Sequence, residues 1–359
     1  MPLDLKIVPY ILKFKFDAGT SRGVLREKKV WFIKLWDSEN PDVVGWGEAG
    51  PLKGLSVDDV PDFEDRLYSI CNMLKGNSVP NSEQMVGEYV LDIDDSLPSV
   101  KFGVECALLD LFYGGMRVVI PSPFVLNKQQ IVINGLIWMG SPAFMLEQIA
   151  DKTSTGFSCL KLKIGSNDRK EEYDVLQYIR DSYNKVDLEL RLDANGAYDY
   201  DTALSVLNSL NKFHIHSIEQ PIKAGNYEQM CDLCKLSPIP IALDEELIGI
   251  HDNKEKREML KIIKPAYIIL KPSLLGGLAA TKEWIEIAEE LDIGWWITSA
   301  LESNIGLNAI CQLTSSLHTT MPQGLGTGSL YQNNIDSPLY IEKEKIGYGH
   351  NSWNFEILD

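Results

Sequence analysis

The stretch Cys159-Leu160-Lys161-Leu162-Lys163-Ile164-Gly165 places two lysines two residues apart in an apolar run. Such a run predicts a buried strand that ends at its glycine. Because alternate residues of a strand face the same side, both ammonium groups enter one space. Burial and a like charge each lower a lysine pKa, which suits a general base. Taken alone, the pair is more typical of an exposed edge strand, so the rest of the chain decides the interpretation.

Five further apolar runs each end in polar residues. The strand ends are Asp193-Ala194-Asn195-Gly196, Glu219-Gln220-Pro221, Asp244-Glu245-Glu246, Lys271-Pro272-Ser273 and Thr298-Ser299-Ala300. From Lys163 onward they recur every 25 to 30 residues, the length of a strand, a helix and two loops. Helical periodicity over 173–181, 202–210 and 278–291 fills three of the intervals. Alternating strands and helices predict a parallel sheet, and seven or eight such units predict an α/β fold of the (β/α)₈ barrel type.

The barrel needs two more strands and a defined mouth. Residues 130–138 predict the first strand, and residues 324–328 (Gly-Leu-Gly-Thr-Gly) predict the last. Polar residues at the C-terminal ends of barrel strands are typical of active sites. The second and sixth strands of such a barrel stand opposite each other, so Lys161 and Lys163 are expected to face Lys271.

Three carboxylates, Asp193, Glu219 and Asp244, are expected on the arc between these lysines. Acidic groups gathered in one pocket repel strongly unless a cation lies among them. Oxygen-only ligands predict a hard ion, Mg²⁺, with Mn²⁺ as its substitute. Strand alternation favours Asp244 over Glu245 as the ligand. A divalent cation and a lysine beside a substrate carboxylate suit removal of the proton α to that carboxylate.

The K-x-K pair, the three carboxylates and Lys271 together resemble the enolase superfamily, and the sixth-strand lysine resembles its muconate-lactonizing-enzyme-like subgroup. Residues 45–52 (Gly-Trp-Gly-Glu-Ala-Gly-Pro-Leu) resemble the capping-domain loop of that family, and residues 101–107 its helix leading to the barrel. Three stretches, 134–140, 299–306 and 324–328, are most similar to the o-succinylbenzoate synthases of the subgroup. The resemblance implies a lyase that dehydrates a cyclohexadiene carboxylate, abbreviated SHCHC, to 2-succinylbenzoate in menaquinone biosynthesis.

The resemblance also implies residue roles. Lys163 would remove the α proton and return a proton to the departing hydroxyl. Lys161 would lower the pKa of Lys163 and help to hold the substrate carboxylate, while Lys271 would stabilise the enediolate from the other face. The implied metal ligands are Asp193, Glu219 and Asp244.

Further side chains are implied around these groups. Asn195 and Glu245 would orient the ligands and the lysine. Ser299 would contact a substrate carboxylate. In the cap loops, Arg22 and Lys53 are candidates for binding a dianionic substrate, with solvated loop charges as an equal alternative.

The N-terminal third of the chain differs in pattern from the barrel. Strands over 29–35 and 43–48, joined by a turn, and helices near 60–75 and 100–113 predict an α+β capping domain over 1–125. The barrel is expected over 126–328, and residues 329–359 are expected to return to the capping domain.

Composition excludes several partners. The net charge of −17 and the lack of a basic cluster argue against nucleic-acid binding. Apolar stretches long enough for a membrane and a signal peptide are both missing, which predicts a cytoplasmic protein without a membrane partner. The six scattered cysteines fit a reducing compartment, and Cys231 and Cys234 are interpreted as ordinary thiols. The oligomeric state is not predicted.

Other functions remain open. An N-succinylamino acid racemase would use the lysines on both faces to exchange protons. A dipeptide epimerase would carry Asp-x-Asp where this chain has Gly326-Thr327-Gly328, which argues against it. Muconate cycloisomerisation is more distant, and a catalytically silent barrel that only binds ligands is the non-enzymatic alternative.

Overall fold

The computed structural model describes residues 2–20, 23–165 and 168–358. Its strands are β1 (Leu3–Thr20), β2 (Gly23–Asp37), β3 (Asn40–Ala49), β4 (Ile131–Val132), β5 (Gly135–Ile137), β6 (Cys159–Lys163), β7 (Glu189–Asp193), β8 (Ser217–Glu219), β9 (Ile241–Leu243), β10 (Tyr267–Leu270), β11 (Gly294–Ile297), β12 (Leu339–Glu342) and β13 (Lys345–Tyr348). Its helices are α1 (Phe63–Leu74), α2 (Glu83–Leu91), α3 (Pro98–Phe112), α4 (Pro142–Ser154), α5 (Arg169–Ser182), α6 (Tyr200–Leu210), α7 (Tyr227–Leu236), α8 (Asn253–Ile263), α9 (Pro272–Leu275), α10 (Leu278–Glu290) and α11 (Asn304–Ser315).

A curled parallel sheet contains β5 to β11 in chain order. Its register aligns Lys163 with Asp193 and Asp193 with Glu219, so these side chains emerge at one edge. The helices between the strands bury one apolar face. In α6 that face is Ala203, Val206, Leu207 and Leu210, at helical spacing, and the helix begins at Asp199, whose side chain accepts a hydrogen bond from the Thr202 amide. The prediction of a barrel-like α/β fold is confirmed.

The eighth strand is irregular, which corrects the prediction for residues 324–328. Isolated parallel bridges join Gln323 to Ile133 and Gly324 to Thr298, and Gly326–Leu330 then forms a 3₁₀ helix. A Cβ at residue 324 would lie 2.0 Å from Thr298 Oγ1, so glycine at this position leaves the space that the Thr298 side chain occupies. Glycines also offer no side chains to pack on a pleated surface, so the pairing does not extend into a regular ladder.

A second layer is built from the N-terminal residues. Strands β1, β2 and β3 form an antiparallel sheet, of which the sequence predicted β2 and β3 but not β1. Helix α3 packs against β3 so closely that a Cβ on Gly47 would lie 1.8 Å from the Gly103 carbonyl oxygen. Nearly all of α3 is buried.

The C-terminal residues contact both layers. The Gln332 amide donates to the Lys13 carbonyl at 2.8 Å, and Tyr331 bridges Phe14 of β1. The hairpin of β12 and β13 pairs instead with β4, immediately before the barrel. Among the helices formed by the described residues, none has the length and apolar character to cross a bilayer.

Candidate active site

The predicted acid, base and metal-ligand residues meet at the carboxyl edge of the parallel sheet. Each comes from the end of a different strand or the position after it, apart from the two lysines that share β6. The residues brought together are Lys161, Lys163, Asp193, Glu219, Asp244 and Lys271. All but Lys163 are buried.

The three lysines pair with the three carboxylates. Lys161 Nζ lies 2.9 Å from Asp193 Oδ2 and also pairs with Glu219 Oε2. Lys163 Nζ lies 2.5 Å from the same Asp193 oxygen. Lys271 pairs with Asp244 Oδ2. The two β6 lysines therefore share one carboxylate, as their alternate positions on the strand require.

These pairs decide the charge of Lys161. Its burial disfavours the ammonium form, but Asp193, Glu219 and Asp244 outweigh that cost and raise its pKa. Burial likewise opposes ionisation of Asp193, yet Lys161 and Lys163 lower its pKa. Lys161 therefore stays protonated, because the attraction of the nearby carboxylates exceeds the cost of burying its charge.

Asn195 and Glu245 lie where the sequence places them. Asn195 Oδ1 accepts a hydrogen bond from Lys163 Nζ at 2.8 Å, and its Nδ2 donates to Glu245 Oε1 at 3.0 Å. The turn is tight, since Asn195 has φ +45°. The chain Glu245–Asn195–Lys163 therefore fixes the direction in which the Lys163 ammonium group points.

Gln220 is a site residue that the sequence analysis missed. Its Oε1 accepts from the amides of Asp244 and Glu246 at 3.2 and 3.3 Å, and its Nε2 donates to Glu246 Oε2 at 2.9 Å. The residue follows Glu219 directly and has φ +38°, a left-handed conformation that is uncommon outside glycine. Gln220 could have been recognised from the sequence as a site residue, because it directly follows Glu219 at the end of a strand.

The carboxylates suit a hard divalent cation by their chemistry. As the side chains stand, the lysines occupy the space between them, and the described residues contain no group of three or more His, Cys, Asp and Glu arranged around an ion position. Glu219 Oε1 is nonetheless buried with no hydrogen-bond partner in the part of the chain that the structure describes. An unpartnered buried carboxylate oxygen costs free energy that a cation would recover. The donor set therefore fits Mg²⁺, with the Lys161 ammonium group compensating the charge in this structure.

A cavity of about 1000 Å³ opens above these groups. Lys161, Lys163 and Lys271 line it, and the N-terminal layer contributes apolar walls and Lys53. The apolar side chains of that layer in the lining are Phe16, Val24, Leu25 and Leu52. Arg22, the other predicted cap contact, lies outside the described residues.

Ser299 and Thr327 line the same cavity and differ in their hydrogen bonds. The Ser299 hydroxyl donates to Glu302 and accepts from the Leu301 amide at 3.0 Å, so its proton is already used. Thr327 Oγ1 is buried without a hydrogen-bond partner among the described residues. Thr327 therefore lines this wall as an uncharged side chain whose hydroxyl oxygen is buried.

The cysteines form no disulfide among the described residues. All six cysteines lie in the described part of the chain and are free. Cys231 and Cys234 lie on α7, on the outside of the sheet.

The fold and the lysine and carboxylate cluster define an enolase-like barrel enzyme class, and the chain belongs to the enolase C-terminal domain-like family, whose model matches residues 145–347. A relative from Desulfotalea psychrophila named o-succinylbenzoate synthase is 44% identical over 94% of this chain and 96% of its own. The crystal structure of MenC from D. psychrophila LSv54 has a TM-score of 0.85 at 40% identity, covering 97% of this chain and 100% of that one.

The fold is also shared with a more distant enzyme. The dipeptide epimerase from Enterococcus faecalis V583, complexed with Mg and the dipeptide L-Leu-L-Tyr, has a TM-score of 0.84 at 20% identity, with 98% of each chain covered. The resemblance predicted from the lysines and carboxylates is confirmed.

Proposed function

We propose that this protein is a lyase that dehydrates SHCHC to 2-succinylbenzoate, as an o-succinylbenzoate synthase of menaquinone biosynthesis. The observation that carries the proposal is that Lys161, Lys163 and Lys271 line one cavity and pair there with three buried carboxylates. Its similarity to the D. psychrophila enzyme over nearly the whole chain supports the same substrate.

Lys163 is the proposed base. In its neutral form it takes the proton α to the ring carboxylate, and the C–H electron pair moves into that carboxylate as an enediolate. The C–O bond then breaks, and the same ammonium group protonates the departing hydroxyl to release water. The Asn195 carbonyl oxygen, 2.8 Å from Lys163 Nζ, keeps the group aimed at one face of the substrate.

Lys161 and Lys271 are the proposed electrostatic partners. Lys161, held protonated by its carboxylates, attracts the substrate carboxylate. Lys271, on the sixth strand of the barrel, stabilises the negative charge of the enediolate from the opposite side.

Asp193, Glu219 and Asp244 are the proposed ligands of Mg²⁺, for which Mn²⁺ is expected to substitute. The ion supplies Lewis-acid stabilisation of the negative charge that develops on the substrate carboxylate. Glu245 and Gln220 act on this set indirectly, through Asn195 and through the Asp244 amide respectively.

Residues 1–125 and 329–359 are proposed to form the capping domain over the barrel of residues 126–328. The loops of the capping domain would exclude water from the cavity. Lys53 and Arg22 are the proposed partners of the second carboxylate of the substrate. Ser299 would shape the wall next to that group. We place the reaction in the cytoplasm, where its small carboxylate substrate is soluble.

An N-succinylamino acid racemase activity at the same site is the second candidate, because lysines stand on both faces of the cavity. Dipeptide epimerisation is disfavoured by the wall at Gly326-Thr327-Gly328, which supplies no carboxylate for a substrate ammonium group.

The test is turnover of SHCHC, followed by ultraviolet absorbance, with Mg²⁺ and then with EDTA. Lys163→Ala is expected to lower the rate at least ~100-fold, the usual contribution of a general base. Lys254→Ala, at a lysine whose side chain is 82% exposed, is the matched control and should leave the rate unchanged. Failure of the folded, Mg²⁺-loaded protein to consume SHCHC would exclude the synthase, and α-proton exchange of N-succinylamino acids in deuterated water would then test the racemase.

A further inference from the structure

The loop that follows β11, residues 299–303, forms part of the cavity wall. Ser299, Ala300 and Leu301 line the cavity. Leu301 has φ +66°, a conformation that a leucine adopts only when its surroundings impose it. Because β11 is the seventh strand of the parallel sheet, residues 299–303 are called the seventh-strand loop. Other parts of the molecule hold this loop in its conformation.

Lys28 of β2 holds the carbonyl side of this loop. Its side chain is buried, and Nζ donates to the carbonyl oxygens of Ala300 and Leu301 at 3.0 and 3.1 Å. The Tyr331 hydroxyl donates to the same Leu301 oxygen at 2.7 Å.

Glu48 of β3 holds the amide side. Its carboxylate accepts from the Ser303 amide at 2.9 Å, from the Ser303 hydroxyl and from the Gly306 amide at 3.0 Å. These amides belong to the first turn of α11, where a carboxylate is favoured by the unpaired N–H groups. The residue is 2% exposed, and the structure places it close to Lys28.

Glu302 connects this loop to the segment that follows β10, the sixth strand of the parallel sheet. It accepts hydrogen bonds from the hydroxyls of Ser299 and Ser273. Ser273 lies two residues after Lys271, so the hydrogen-bond network of the loop extends to the segment that carries this lysine. The network joins two side chains of the N-terminal sheet to the wall of the reaction cavity.

We propose that Lys28 and Glu48 are positioning residues of the active site, which hold the seventh-strand loop in the arrangement that receives the substrate. The proposal rests on the lysine-catalysed reaction proposed above. Both side chains lie behind the loop, outside the cavity lining formed by the described residues. Their effect on substrate therefore passes through the main chain of residues 300–306.

Lys28→Met and Glu48→Gln test the proposal, with Lys29→Met as the matched control. Lys29 is the next residue of β2, and its exposed ammonium group pairs with Glu64 at 2.9 Å on the surface. If the loop is correctly arranged a tenth of the time, the KM for SHCHC rises about tenfold while kcat changes little. Lys29→Met is expected to keep the KM of the unmodified protein.

Hydrogen exchange supplies a readout that does not depend on the substrate. The amides of Leu301 and Glu302 donate to Ser299 Oγ, and those of Ser303 and Gly306 donate to Glu48. In Glu48→Gln these amides should exchange faster, while those of the parallel sheet keep their protection. Normal protection together with an unchanged KM in the folded variants would overturn the proposal.

Loss of folding and loss of the proposed activity can each be distinguished from loss of the positioning role. If Lys28→Met does not fold, Tyr331→Phe removes a single hydroxyl from the same Leu301 carbonyl and should raise KM in the same direction; an unchanged KM in this folded variant counts against the proposal. If the unmodified protein does not turn over SHCHC, the function proposed above fails, and the positioning role is decided by hydrogen exchange alone.

Discussion

Two lysines on one strand differ in their surroundings because they meet different numbers of carboxylates. Lys161 contacts both Asp193 and Glu219, whereas Lys163 contacts Asp193 and the Asn195 amide oxygen. The second carboxylate holds the charge on Lys161. The neutral amide beside Lys163 directs that lysine without adding a further negative charge, as a proton-transfer group requires.

Replacement of Asn195 tests this distinction at the scale of one residue. Asn195→Ala removes one of the two acceptors of Lys163 and the donor to Glu245, so we expect kcat for SHCHC to fall about 10- to 100-fold, as when a supporting partner of a catalytic group is lost. Asn208→Ala is the control, since that exposed amide donates to the Leu204 carbonyl on α6. Equal rates in the two variants would show that Lys163 needs no positioning partner.

Glu105 joins two helices and carries a pH-dependent contribution to stability. The carboxyl group lies on α3 and accepts from the Leu278 and Ala279 amides at the start of α10. Burial raises its pKa to about 7. The folded protein therefore binds this proton more tightly than the unfolded chain does, and the associated stability is present below about pH 4.5 and is lost as the pH rises through 7.

Glu105→Gln removes this titration. Between pH 4.5 and 8 the unmodified protein should lose about 1–3 kcal/mol of unfolding free energy relative to the variant. Urea unfolding of both proteins at several pH values measures the difference. Asp58 and Asp110, whose pKa values burial raises to about 6, affect both proteins equally and cancel. A difference that does not vary with pH would contradict the assignment.

The irregular eighth strand makes a second prediction about an element. Gly324→Ala places a methyl group against Thr298 and should destabilise the protein by about 1–3 kcal/mol through overpacking. Gly87→Ala, on α2 where a Cβ meets nothing within 4 Å, should instead stabilise it by about 0.5–1 kcal/mol. Thermal or urea unfolding distinguishes the two. An unchanged free energy of unfolding in Gly324→Ala would mean that the backbone next to Thr298 shifts to accept the methyl group without cost.

At this scale the sequence predicts runs of residues better than contacts between them. Strands β6 to β10 are recognisable because each apolar run ends in a charged residue, and the alternation of Leu3, Leu5 and Ile7 made β1 equally recognisable. The bridge from Lys161 to two carboxylates depends on the register of three strands. The bonds from Lys28 and Glu48 reach a loop more than 250 residues away. Neither contact leaves a local pattern.

Binding of a cation to the whole molecule should be visible in its stability. A ligand that binds only the folded state stabilises it by about 2.7 kcal/mol at a concentration 100 times its Kd. We expect Mg²⁺ to raise the melting temperature of the unmodified protein and to have little effect on Glu219→Gln, which lacks one ligand. NaCl at equal ionic strength controls for general ionic effects. An equal Mg²⁺ response in both proteins would place the ion elsewhere.

The contacts of residues 331–348 have a consequence for biosynthesis. Tyr331 and Gln332 complete the edge of β1, and β13 pairs with β4 at the entrance to the parallel sheet. At about 5–20 residues per second, the ribosome takes ten seconds or more to travel from β4 to β13. Throughout that interval the nascent chain carries two unpaired strand edges. We infer that the growing polypeptide is most prone to aggregation, and most in need of chaperones, after the lysines of its parallel sheet have emerged and before its closing hairpin has.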